Sequence, residues 1–77
     1  MAHFFFNVDG GNALTETVGL DLPSLERAHL EARDSARDML VDGVIRGEDR
    51  LEWQMVVTDE AGETVLRMPF AAAFRTH

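Results

Sequence analysis

From His3 to Val8 the chain reads as one side apolar and the other mixed. Phe4, Phe6 and Val8 fall together, opposite His3, Phe5 and Asn7, because side chains alternate along an extended backbone. Aromatic and β-branched residues suit a pleated surface, so this segment predicts a first strand. Asp9-Gly10-Gly11-Asn12 then signals a turn, since Gly and Asn tolerate positive φ. A second, weaker strand is expected within Asn12 to Val18, with Gly19 breaking it. Leu20 and Leu22 lead to Pro23, which biases Leu22 toward an extended conformation.

The period then changes from two to 3.6. At 100° per residue Leu25, Ala28, Ala32, Ala36, Met39, Leu40 and Gly43 share one stripe. Ser24 suits the N-cap, and Gly47 suits the left-handed residue beyond the last turn at Arg46. A helix of ~22 residues spans ~33 Å. Gly43 lies inside it and costs roughly 1 kcal/mol against Ala unless close packing needs it.

Alternation returns from Leu51 to Thr58, with Leu51, Trp53, Met55 and Val57 on one side. Asp59 to Glu63 reads as a hairpin loop, and Thr64 to Phe70 as the last strand, with Leu66, Met68 and Phe70 facing inward. Pro69 cannot donate to a ladder, so that strand ends there or lies at a sheet edge. The order is ββαββ: an α+β, two-layer domain over residues 1–77, one long helix packed on a four-stranded antiparallel sheet. The tail after about residue 71 is expected to be disordered or to fold across the sheet.

Composition narrows the function classes. With net charge −7 and seven basic residues, phosphate neutralisation is disfavoured, and so are nucleic acid and an anionic membrane surface as partners. No stretch is apolar for the ~20 residues that span a bilayer, and the start lacks the basic region of a signal peptide. The chain has no cysteine, so no disulfide and no zinc thiolate is available. The cytoplasm is the expected location.

The sheet's uncovered side should be polar, yet it carries Phe5, Val56 and Val65 among His3, Asn7, Gln54, Thr58 and Arg67. An apolar centre in a polar surround fits self-association. On the helix, Glu31, Asp34, Asp38 and Asp42 form an outward carboxylate row, flanked by Arg33 and Arg37 with Leu30 and Val41 between. Like charges at i,i+4 cost a few tenths of a kcal/mol each, so the row suits a basic protein partner. An ordinary solvated face, relieved by Arg27–Glu31, Asp34–Arg37 and Asp42–Arg46 pairs, is the plainer reading.

Catalytic sets are missing from the pattern. His3, His29 and His77 lie in three separate segments, and His29, at the margin of the core stripe, reads as a partly buried structural residue. Ser24 is a cap rather than a nucleophile. The carboxylates of Asp9–Asn12 and Asp59–Glu63 lack EF-hand spacing and read as solvated turns. No cofactor or metal site is expected.

The strand His3-Phe4-Phe5-Phe6-Asn7-Val8 with its Asp9-Gly10 turn, the run Val18-Gly19-Leu20-Asp21-Leu22-Pro23-Ser24-Leu25-Glu26 with Ala28, and the later Val57-Thr58-Asp59-Glu60-Ala61-Gly62 before Val65-Leu66 and Pro69-Phe70 carry a resemblance. Together they resemble a family of short, uncharacterised bacterial proteins grouped as a domain of unknown function. Its members more often carry an acidic residue at Asn7 and Ala at Gly43. The resemblance implies the ββαββ fold and a bacterial cytoplasmic setting, and it brings no site residues. The residues themselves favour a non-enzymatic interaction or regulatory module, homo-oligomeric or with a basic partner. The alternatives are an enzyme or small-ligand binder whose site forms between subunits, from His3, Trp53 and turn carboxylates, and an acidic mimic of nucleic acid.

Overall fold

The computed structural model describes residues 2–10 and 17–74. Strand β1 (Ala2–Asp9) lies between β2 (Val18–Leu22) and β3 (Gln54–Thr58), and β4 (Thr64–Pro69) closes the far edge, giving the order β2-β1-β3-β4. All three pairings are antiparallel. The long helix α1 (Leu25–Arg46) packs on one side, joined there by a 3-10 turn at Phe70–Phe74. Among the described residues nothing packs on the sheet's other side.

The helix begins where the Ser24 hydroxyl accepts the Arg27 amide, satisfying one orphan donor of the first turn. It stops at Gly47, whose φ of 75° a side chain would oppose. The Gly47 and Glu48 amides there donate to the Val44 and Gly43 carbonyls. Ala28, Ala32 and Ala36 are completely buried. Recurring every fourth residue, they form a strip of minimal side chains that brings the helix close to the sheet. Phe4, Phe6, Met55, Val57, Met68 and Phe70 fill the space between the layers.

Gly43 is buried, and its missing side chain has a packing cause. A Cβ there would stand 2.8 Å from Arg50 Cδ and 3.0 Å from the Glu48 carbonyl oxygen. Gly43→Ala therefore forfeits the roughly 1 kcal/mol that Ala normally returns to a helix interior. Crowding of this kind costs about 1–3 kcal/mol, so a urea titration should show the variant no more stable than wild type.

Several expectations need correction. β2 runs through Gly19 instead of ending at it: Gly19 stands opposite Phe5, and a Cβ there would lie 3.3 Å from the Phe5 ring. Of the strand expected within Asn12 to Val18 only Thr17 and Val18 are described, and Val18 opens β2; Gly11 and Asn12 of the turn before it lie outside the described residues. Leu51 sits in a turn and is half exposed. Leu25 is also half exposed, beside Val65. The tail through Phe74 is a 3-10 turn with Ala73 buried against the helix, tied down where Arg37 Nε donates to the Ala73 carbonyl at 2.6 Å. It does not cross the open face; residues 75–77, with His77, lie outside the described residues.

Val65 is the largest displacement of a candidate residue. The β3–β4 register slips between Val57 and Thr58, pairing Val57 with Leu66 but Thr58 with Thr64. This bulge leaves Val65 without a partner on β3 and breaks the alternation at that point. The side chain packs against the core cluster and lines a groove on the helix side with Leu25, His29 and Leu30. It is therefore not on the open face with Phe5 and Val56.

Candidate functional site

The open face of the sheet is laced by polar pairs. His3 Nδ1 and Asp21 Oδ1 are 2.5 Å apart across the β1–β2 pair. Thr17 donates to Asn7 Oδ1, and Arg67 Nη1 donates to Gln54 Oε1 at 3.0 Å. Phe5 is half-buried because it lies over Gly19 and meets the His3 ring edge-on at 4.8 Å. Val56, between Asn7 and Arg67 in the register, is half-buried too. Phe5 and Val56 are diagonal neighbours within this polar frame, since Phe5 stands opposite Thr58 and Val56 opposite Asn7.

The carboxylate row divides. Asp34 and Asp38 are exposed and form no salt bridge among the described residues. Glu31 is half-buried toward β2, lining a small recess with Ser35 and Met39. Asp42 accepts from Arg46 Nε at 3.0 Å, as its spacing suggested, and from Arg50 Nη1 at 3.1 Å. Arg37 is engaged by the 3-10 turn and is not free to relieve Asp34.

Arg50 ties the loop after the helix to the helix itself. Its Nη1 also donates to the Met39 carbonyl at 2.9 Å, its Nη2 to Glu48 Oε2 at 2.9 Å, and its guanidinium lies 4.9 Å from the centre of the Trp53 ring. This fork geometry is specific to arginine. Hydrogen bonding to Glu48 is the main cause that raises the Arg50 pKa above its ordinary value. Asp42 is held below its ordinary value, chiefly by its hydrogen bond from Arg46.

That depression has a sign. A carboxyl whose folded pKa is lowered adds stability above its unfolded value, and that stability is lost as pH falls through the folded value. The unfolded value is about 3.9. Asp42→Asn should therefore destabilise the protein at neutral pH, and the gap to wild type should close as pH drops below about 4. Thermal melts across pH measure this.

The arrangement also exposes what the periodicity concealed. Val44 and Ile45 are each 78% exposed, and Val41 and Leu51 about half exposed. With Leu40, Gly47 and the loop Glu48–Arg50 they line an open groove of about 540 Å³ at the C-terminal end of α1. Val41, Val44 and Ile45 stand at i, i+3 and i+4, a ridge on the helix surface. The available signal was apolar residues off the core stripe immediately before the Gly47 cap. A second groove of about 510 Å³ lies at the other end of the helix, along Leu25, His29, Leu30 and Val65. His29 is exposed there rather than partly buried.

The Asp59 carboxylate accepts the Ala61 and Glu63 amides at 2.9 and 3.0 Å and so shapes its own turn. Among the described residues no three His, Asp or Glu side chains gather as a metal site. Among the described residues no helix is long and apolar enough to cross a membrane.

Fold and surface define a two-layer α+β protein, with one long helix packed on a four-stranded antiparallel sheet and an apolar groove at the helix end. The chain belongs to the family described as a domain of unknown function, DUF6894, which matches residues 3–71. Neither a curated protein nor a solved structure matches the chain.

Proposed function

We propose that this protein is a non-enzymatic protein–protein interaction module that works through the outer side of its helix. The observation that carries this reading is the ridge of Val41, Val44 and Ile45 with Leu51, left exposed around a groove on a chain whose core is already filled. Large aliphatic residues grouped on a surface mark interaction sites, whereas scattered ones do not. The alternative of a small-ligand or catalytic site between subunits draws less support, because its expected members are already engaged. His3 is held by Asp21 and Phe5, and Trp53 lies between Phe70 and Arg50. Self-association through the open sheet face also draws less support, since Val65 is absent from it.

Co-purification from native cells tests the reading, with Val44→Asp/Ile45→Asp compared with Phe5→Lys/Val56→Lys. The expected result is a protein captured by wild type and by the sheet-face variant, but lost from the groove variant. Capture that survives the groove variant and fails with the sheet-face variant would move the interface to the sheet.

A further inference from the structure

We propose that the groove at the C-terminal end of α1 receives the apolar side of a basic amphipathic helix from a partner protein; this rests on the interaction-module reading and specifies the partner. Leu40, Val41, Val44, Ile45 and Leu51 give the lining an aliphatic part, which fits the apolar anchors of such a helix, recurring at i, i+3 and i+4. The ridge Val41–Val44–Ile45 has the same spacing, the geometry by which two helices interdigitate.

Charge selects the partner. The segment from Asp38 to Glu52 holds Asp38, Asp42, Glu48, Asp49 and Glu52 against Arg46 and Arg50 alone. Both arginines are already paired: Arg46 with Asp42, and Arg50 with Asp42 and Glu48. At 100° per residue, the unpaired Asp34 and Asp38 fall along the side of the helix that carries Val41 and Ile45. The carboxylates that line the groove itself are Glu48 and Asp49, and Asp34 and Asp38 extend the acidic surface along the turns of α1 that precede it. A partner with Lys and Arg beside its apolar face meets opposite charge there, which guides encounter and register. A second copy of this chain, at net charge −7, would set the same acidic surface against itself in a two-fold contact.

Fluorescence anisotropy with a labelled leucine–lysine peptide patterned as an amphipathic helix tests this. The comparisons are a scrambled peptide of the same composition and a leucine–glutamate peptide of the same pattern. Only the patterned basic peptide should bind. Val44→Asp/Ile45→Asp, with both residues exposed in the native fold, should keep its circular dichroism and lose at least about tenfold in affinity. Asp34→Lys/Asp38→Lys should weaken binding and flatten its salt dependence. Equal binding of the scrambled or acidic peptide, or of the groove variant, overturns the proposal. So does absence of peptide binding. If sedimentation then shows a dimer that Val44→Asp/Ile45→Asp dissociates, the occupant is a second copy and the interaction-module reading stands. If it shows a monomer, and the proteins co-purified with that variant match those of wild type, both readings fall.

Discussion

Phe70→Ala should cost about 3–5 kcal/mol, the range for deleting a buried aromatic ring. Phe70 is completely buried where β4 gives way to the 3-10 turn, and its amide donates to the Trp53 carbonyl at 2.8 Å. Its ring meets Trp53 edge-on at 6.0 Å, an aromatic geometry that adds to the apolar burial. A chain of this length has a total stability of roughly 4–12 kcal/mol. The variant should therefore unfold at a much lower urea concentration, followed by far-ultraviolet circular dichroism because the change lies beside the only tryptophan. A loss below about 1 kcal/mol would mean that the ring is not the wedge between helix, β4 and turn.

Ala32→Leu should be the second severe change, and in the opposite sense, by adding atoms. Ala32 is completely buried at the middle of the alanine strip, between Ala28 and Ala36. Three further carbons have no room between the layers, and overpacking costs about 1–3 kcal/mol and sometimes more. Leucine is nearly as good a helix former as alanine, so propensity accounts for little of the loss. Ala32→Gly isolates the other contribution: it relieves crowding but costs about 1 kcal/mol through the backbone. Thermal melts should rank wild type above the glycine variant and the leucine variant lowest. A leucine variant as stable as wild type would show that the helix stands farther from the sheet than the strip of alanines implies.

How much of this was legible follows from how local each signal is. The helix bounds could be read because they depend on nearby groups: the Ser24 hydroxyl capping Arg27, and Gly47 taking the left-handed turn. The inner faces of β1 and β3 could be read because the pleat alternates within one strand. Cross-strand events could not. Val65 left the open face because of a bulge set by the pairing of β3 with β4, and a single strand's alternation does not encode it. Gly19 reads as a breaker in isolation and becomes a strand residue once Phe5 of the neighbouring strand lies over it.

The site was half legible for the same kind of reason. Asp34, Asp38 and the Asp42–Arg46 pair follow from helical spacing alone. Arg50 does not: it lies outside the helix and reaches back to Met39, Asp42 and Trp53 only through the loop's path. The space it crosses explains Gly43, which appears as a weakness until that path is known. Val44 and Ile45 were visible as letters, but a helix pattern scored for its buried stripe passes over apolar residues on its outer side.

The most direct measurement of the interaction surface is amide chemical-shift mapping of the labelled protein during titration with the patterned leucine–lysine peptide. The expected perturbations cluster at Val41, Val44, Ile45, Gly47 and Leu51, with a fringe at Asp34 and Asp38, while Phe5, Asn7 and Val56 stay in place. Perturbations centred on Phe5 and Val56, with the helix end unmoved, would contradict it and place recognition on the open face of the sheet.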